Sequence, residues 1–378
     1  MLFRRSLRRH PRRGDLTGWG DLTPVPWSPG GVFTPDDADP GDHLDYHTGT
    51  AYPQDAASQV PVLLLDPRPG EILVDTCAAP GSKTTQIGLC LGDDGLVVAC
   101  DASKPRRAVL IENLARQGVG CALVTPMPME TLAERFPGAA DGVLVDAPCS
   151  GHEERSDKQV ARMALRQGAI LAAAAALVRP GGRLVYSTCT AYEAEDEGVI
   201  QTFLEAHPAW RVAPRTLPGC GVDRRGLGGI RLSPEDQGTE PFFAIRLERS
   251  GDGLAAGFEG VAPVQDPTVP GYGWAKGNAR FLGSPQAACA ALPSEARGLL
   301  LGHGDQHDPW GDQGLIERGA PATTVDRATA LRLWAGEAVP GLPPGALVRT
   351  VDGGPLGRLD PRGERLRMPS RLFRAGLR

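Results

Sequence analysis

Two cysteines sit in chemically suggestive company. Cys149 lies in Asp146-Ala147-Pro148-Cys149-Ser150-Gly151, and Cys189 in Ser187-Thr188-Cys189-Thr190, each just after an apolar run of strand length. A thiolate is a strong nucleophile whose activity depends on a lowered pKa, which a neighbouring cation such as Lys83 can supply. One strand-end cysteine is more often a small core hydrophobe than a reactive group. Two such cysteines, one beside Asp-x-Pro and the other between threonines, favour chemistry. The remaining six (77, 90, 100, 121, 220 and 289) form no Cys-x-x-Cys pair and no Cys/His cluster of zinc spacing, so they read as reduced thiols. His152 reads either as a proton acceptor near Cys149 or as a solvated loop residue beside Glu153 and Glu154. His303 and His307 are spaced i, i+4, but the glycines around them argue against the helix that a metal pair needs, and no metal is expected.

A third group surrounds a tight turn, Asp75-Thr76-Cys77-Ala78-Ala79-Pro80-Gly81-Ser82-Lys83-Thr84. Small residues and Gly81 let the backbone approach a ligand before a helix begins. The turn is not G-x-G-x-x-G and lacks the spacing of a phosphate-binding P-loop. Asp101 follows the next apolar run, where an acid typically accepts hydrogen bonds from ribose hydroxyls. On spacing alone, this pair fits an adenosine-containing cofactor and an ordinary β-α-β turn equally well.

The elements that must position these groups alternate along the chain. Strand-like runs at Ile72–Thr76, Leu96–Cys100, Ala122–Val124, Gly142–Val145 and Leu184–Ser187 are separated by candidate helices at 83–91, 104–117, 158–178 and 193–206. Pro180-Gly181-Gly182 reads as a stop before the last of these strands. The pattern predicts an α/β fold with a doubly wound, mostly parallel sheet, both faces covered, and ligands at the carboxyl ends of its strands. Pro241 to Leu247 reads as one more strand, antiparallel. The expected organisation is an N-terminal arm (1–50), the α/β domain (51–250), a Gly/Pro-rich linker (251–285) and a small β-rich C-terminal module (286–378). In that module a helix is predicted at 325–335 and strands at Ala346–Val351, Gly357–Leu359 and Arg365–Met368, with a turn at Asp352-Gly353-Gly354.

With 378 residues, 41% hydrophobic and 22% charged, the composition excludes wholesale disorder and fibrous architecture. The apolar run Ala169 to Val178 is about half a membrane span, and no signal peptide is visible, so a soluble, cytoplasmic protein is expected. The net charge of −5 argues against indiscriminate polyanion binding, but it is unevenly placed. Residues 1–13 carry six arginines and no acid, and 356–378 carry seven against Asp360 and Glu364, leaving about −16 on the body. Basic ends on an acidic body fit docking onto a phosphate backbone; solvated, frayed tails fit equally.

The blocks Asp75–Thr84, Asp146–Gly151 and Tyr186–Thr190 resemble, in order, the motifs of the Nol–Nop–Sun family of RNA cytosine-5 methyltransferases. Tyr52-Pro53-Gln54-Asp55, Asn113-Leu114-x-Arg116-x-Gly118 and Gln167…Ile170-Leu171 extend the likeness from about 48 to 247, roughly half the chain. Pro24-Val25-Pro26-Trp27 and the Arg-rich end are more loosely similar to the ribosomal RNA methyltransferase F branch, which carries a PUA-like RNA-binding region. The resemblance implies a Rossmann-like methyltransferase domain and S-adenosyl-L-methionine as cofactor. It places Ala78, Ala79, Pro80, Gly81, Ser82 and Lys83 around the methionine portion, Asp101 on the ribose and Arg106 nearby, with Cys77 and Asp146 also binding the cofactor. It makes Cys189 the nucleophile on cytosine carbon 6, Cys149 the thiol that assists release, and Asp146 with Lys83 the groups at the ring nitrogen 3 side. The implied partner is RNA, small-subunit ribosomal RNA first and transfer RNA as alternative, reached by a monomer with the target base unstacked.

The sequence departs from the family pattern in three places. The acid after the third strand is missing near Met127 and Pro128, with Glu130 the nearest substitute. The loop after Gly151 is about ten residues shorter than usual, and Glu195-Asp196-Glu197 stands where Glu-Asn-Glu is common. A DNA cytosine-5 methyltransferase, with its nucleophile in Pro148-Cys149, is a weaker reading, because Cys189 is present and a Phe-x-Gly-x-Gly motif is absent. A non-catalytic RNA-binding or ribosome-assembly factor on a methyltransferase scaffold is the rival from another class.

Overall fold

The computed structural model describes residues 3–258, 320–334, 337–351 and 355–366, together with the backbone of short strands between 264 and 307. The alternation predicted from sequence is present. Strands β5 (Ile72–Asp75), β6 (Leu96–Cys100), β7 (Ala122–Thr125), β8 (Ala140–Asp146) and β9 (Val178–Thr188) lie parallel in the order β7-β6-β5-β8-β9, and β13 (Phe242–Arg249) closes antiparallel on β9. Helices α3 (Ser82–Leu91), α4 (Lys104–Arg116), α5 (Met129–Arg135), α6 (Asp157–Leu177) and α7 (Glu197–Ala206) supply the crossovers.

Successive strand residues point to opposite faces, and here both faces are apolar. Leu73, Val97, Leu144 and Val185 pack toward α3, α4 and the preceding helix α2 (Val60–Leu65). Val74, Val98, Val143 and Leu184 pack toward α5, α6 and α7. This two-sided burial explains why the strands read as continuous hydrophobic runs instead of alternating ones. The α6 helix is long and apolar enough to cross a membrane by composition alone, yet Val160, Leu171, Ala174 and Leu177 bury one of its faces in this core. It starts at a capping box in which Ser156 and Gln159 satisfy each other's backbone amides.

Several expectations are corrected. Pro180-Gly181-Gly182 is no break ahead of β9 but an irregularity inside it: Val178 pairs with Ala140 and Arg183 with Gly142, and Gly181 takes a φ of +73°. The helix stops earlier, at Leu177, because the chain there has already entered the sheet. α7 begins at Glu197, not 193, since residues 193–196 form a turn, and α5 was not anticipated. The N-terminal arm is folded: β1 (Ser6–Arg9), β2 (Thr23–Pro24), β3 (Gly31–Phe33) and β4 (Ala51–Pro53) form an antiparallel sheet in the order β2-β3-β1-β4 around Leu7, Trp19, Val32 and Ala51.

The stretch expected as a linker is not one throughout. Residues 256 and 257 donate to the carbonyls of Gly138 and Ala139, and Phe258 is buried against Phe136. Val264–Gln265, Gly273–Lys276 and Ala279–Leu282 then join a five-stranded sheet with Leu299–His303 and Gln306–His307. His303 and His307 thus lie on two paired strands, not on a helix. In the C-terminal module the helix spans Arg327–Trp334, and Leu347–Thr350 pairs with Pro355–Arg358 and, in parallel, with Thr323–Val325. The Leu366 bridge to Leu359 marks the start of the last expected strand, whose residues 367 and 368 fall outside the described residues, as do the 352–354 turn, Cys289 and the arginines beyond 366. Leu44 and His47 of the N-terminal segment pack on this module, His47 against Trp334 at 5.2 Å between ring centroids.

Candidate active site

The groups singled out in the sequence converge at the carboxyl edge of the parallel strands. After β5 the turn is stitched to both neighbours: Thr76 donates its amide and hydroxyl to the Leu144 carbonyl on β8, and the Ala78 amide donates to Cys100 on β6. The Thr84 hydroxyl returns from α3 to Asp75 at 2.7 Å. Asp75 is buried, which pushes its carboxyl up to about 6. Burial likewise pushes the Cys77 thiol up to about 12, leaving it a neutral part of the turn. Gly81 sits at φ +110°, where a Cβ would come within 2.9 Å of Leu110, so glycine is required on both counts.

The α4 helix holds the same turn from outside. Arg106 donates to the Ala79 carbonyl and pairs with the Asp101 carboxylate at 3.3 Å, while Asn113 donates to the Pro80 carbonyl at 2.9 Å. Asp101 also accepts from the Ser103 amide at 2.9 Å. The strand-end acid and the arginine expected near the cofactor are therefore one ion pair that braces the turn. Beyond β7, Met127 is buried in the core and Glu130 is exposed on the first turn of α5. The third strand tip presents no buried acid.

At the tips of β8 and β9 the predicted residues meet. Lys83 Nζ lies 2.7 Å from Asp146 Oδ2, and the Ser187 hydroxyl donates to Asp146 Oδ1 at 2.7 Å. The sulfurs of Cys149 and Cys189 are 3.2 Å apart, both half-buried. Their shared hydrogen bond, with the Gly151 and Cys189 amides, draws Cys149 below the ordinary thiol range, whereas the same bond, burial and nearby negative charge hold Cys189 above it. This corrects one expectation: Lys83 is committed to Asp146, and the group that lowers a thiol here is the other thiol. His152 is exposed, its ring edge-to-face with Phe3 at 5.7 Å. The short loop after Gly151 is pinned by Tyr192, whose hydroxyl accepts from the Arg155 amide and donates to the Glu153 carbonyl.

Sequence reasoning passed over a buried layer beneath the thiols. Glu195, Asp196 and Glu197 are all fully buried. Arg231 pairs with Asp196 at 2.9 Å and Glu197 at 2.8 Å, and the Thr188 hydroxyl donates to Asp196. Glu195 Oε2 instead accepts from the Ser150 amide at 3.0 Å and from Gln167 Nε2 at 2.8 Å. Three consecutive acids suggest a solvated turn, and only the departure from Glu-Asn-Glu drew notice to them.

Comparison with known proteins identifies the family. The family described as 16S rRNA methyltransferase RsmB/F matches residues 62–248. A tRNA (cytosine(49)-C(5))-methyltransferase from Pyrococcus abyssi is 35% identical over 61% of this chain and 80% of its own length. A ribosomal RNA small subunit methyltransferase F from Klebsiella pneumoniae is 32% identical over 78% of this chain, which spans only 62% of that relative. Among solved structures, a methyltransferase homologue from Pyrococcus horikoshii superimposes with a TM-score of 0.59 at 27% identity, covering 65% of this chain and 87% of the other. NSun6 from the same organism, crystallised with SFG, does so at 0.52 and 30%, covering 55% and 56%. The chain belongs to the RsmB/F methyltransferase family, within the Nol–Nop–Sun group of RNA cytosine-5 methyltransferases.

Proposed function

We propose that the protein methylates carbon 5 of a cytosine in RNA, small-subunit ribosomal RNA first, through a covalent bond between Cys189 and the base. The observation that carries this reading is the pair of thiols 3.2 Å apart beside the Lys83–Asp146–Ser187 cluster. The turn at 77–83, kept open by Gly81, and Asp101 at the β6 tip fit S-adenosyl-L-methionine, which when bound supplies an electrophilic methyl group. In this reading Cys189 Sγ bonds to cytosine carbon 6 while its proton passes to the Cys149 thiolate. On the ring nitrogen 3 side Asp146, steadied by Lys83 and Ser187, accepts from the exocyclic amino group of the base, and the Lys83 ammonium beside it offsets the negative charge that develops on the ring. Carbon 5 then takes the methyl group.

Cys149, partly exposed, loses its proton to water and accepts the carbon 5 proton. The C5–H electron pair re-forms the C5=C6 double bond as the C6–S bond breaks, returning a thiolate to Cys189. Substituting each cysteine tests this. Cys189→Ala is expected to abolish methyl transfer, with a loss of at least about 10³-fold. Cys149→Ala is expected to leave a protein–RNA adduct that survives denaturing electrophoresis. An adduct in neither variant overturns the assignment. The Pyrococcus abyssi relative, 80% of which this chain covers, favours a second reading with transfer RNA as substrate. Bisulfite sequencing of ribosomal and transfer RNA from a deletion strain separates the two.

A further inference from the structure

We infer that Glu195 and Gln167 form a clamp that positions Cys149 for the release step. The inference rests on the cytosine-5 reading above. Cys149 stands in a short irregular segment with no helix or strand of its own. Its two neighbours are gripped from beneath instead. Gln167 Nε2, on α6, donates to the Pro148 carbonyl at 3.0 Å and to Glu195 Oε2 at 2.8 Å, and the same carboxylate oxygen accepts the Ser150 amide at 3.0 Å. The peptide groups on either side of the thiol are thus tied to one two-residue unit that is itself fully buried. Glu195 is anchored in turn by its own backbone, whose carbonyl accepts the Tyr186 hydroxyl at 2.6 Å.

The arrangement is costly in a way that points to function. Glu195 Oε1 and Gln167 Oε1 are buried acceptors without a hydrogen-bond donor. Unlike Asp196 and Glu197, which share Arg231, Glu195 meets only neutral donors among its described contacts. Burying an acid with one oxygen unpaired costs the fold stability, so stability alone does not account for the pair. The purpose the contacts indicate is local: a nearby apolar pair would fill the space but would leave Pro148 and Ser150 free to shift. Proton removal from carbon 5 requires the Cys149 sulfur at a fixed distance from the adduct, and displacements near 1 Å can cost about 10²-fold in rate. Neither clamp residue reaches the thiols through a described hydrogen bond, so both are positioning residues.

The release step is the one they should control. Glu195→Ala and Gln167→Leu are expected to reduce turnover about 10- to 100-fold and to raise the trapped protein–RNA adduct toward the Cys149→Ala level, with S-adenosyl-L-methionine affinity unchanged. Glu195→Gln keeps an acceptor oxygen for both donors and is expected to restore turnover and abolish the excess adduct. Leucine on α6 preserves volume, so Gln167→Leu reports even where Glu195→Ala fails to fold, and cofactor calorimetry identifies folded variants. Folded clamp variants with wild-type adduct levels, beside a Cys149→Ala control that does trap RNA, overturn the clamp alone. A Cys149→Ala control that traps nothing overturns the underlying function instead.

Discussion

At the scale of single residues, the chemistry was legible where it is local. Asp146, Cys149 and Cys189 lie at or just past strand ends, and Lys83 follows the turn after β5 at the start of α3, so the carboxyl edge of the sheet brings them together with contacts of 2.7 and 3.2 Å. Glu195, Gln167 and Arg231 were not legible in this role. These partners lie 19 to 45 residues away, and in sequence a buried acid looks like a surface one. Asp196 illustrates the consequence. Burial pushes its carboxyl from 3.8 up to about 7, despite Arg231 and the Thr188 hydroxyl. Between those values the folded chain holds a proton that the unfolded chain has released. Stability contributed by this residue is therefore present below about pH 4, falls as pH rises toward 7 and is constant above. Asp196→Asn removes the titration. Its melting temperature, taken relative to wild type, should rise across that window by several degrees, at roughly 2–4 °C per kcal/mol for a domain this size. Parallel pH profiles for the two proteins would refute the assignment.

At the scale of elements, strand order and helix positions followed from hydrophobic runs bounded by turn residues, because a doubly covered sheet leaves little else for such runs to do. The irregularity in β9 and the onset of α7 did not, since Pro-Gly-Gly and Glu-Ala-Glu-Asp suit a bulge or a turn as readily as a boundary. The element on which the proposed cofactor site depends most is the turn at 77–83, braced by α4 through Arg106 and Asn113. Gly81→Ala puts a methyl group against Leu110 at a left-handed φ of +110°. The expected cost, set mainly by the left-handed φ, is about 1–3 kcal/mol, together with weaker S-adenosyl-L-methionine binding as the turn shifts. Chemical denaturation and calorimetry measure the two effects, and an unchanged denaturation midpoint contradicts the strain argument.

At the scale of the whole molecule, the basic N-terminus changes meaning. Of its six arginines, Arg8 and Arg13 are buried, at 5% and 2% exposure. Arg13 donates to the carbonyls of Thr48 and Arg116 at 2.6 and 2.7 Å, and Arg8 to Thr85 at 2.7 Å. Composition could not separate such internal donors from phosphate contacts, because both need a cation on a long stem. Arg13→Ala should cost about 2–3 kcal/mol, the range for lost bonds to a charged donor and carbonyls left unpaired. Arg332→Ala, which removes an exposed pair with Glu337 at 2.9 Å, should cost under about 0.5 kcal/mol. Urea midpoints decide between them; an unchanged midpoint for Arg13→Ala with weakened RNA binding would return that arginine to the phosphate-contact reading.

The same strap carries a consequence for how the chain is made. His10 and Arg13 find their partners 107 and 103 positions later, at the end of α4. During synthesis at about 5–20 residues per second, these two side chains wait roughly 5–20 s for their α4 partners. Until then β1 can already pair with β3 and β4, which follow within the first 53 residues, but His10 and the Arg13 guanidinium lack their carbonyls on α4. The contacts of His10 and Arg13 with α4 thus form after the small sheet can, and weakening them should slow that docking before it disturbs the sheet.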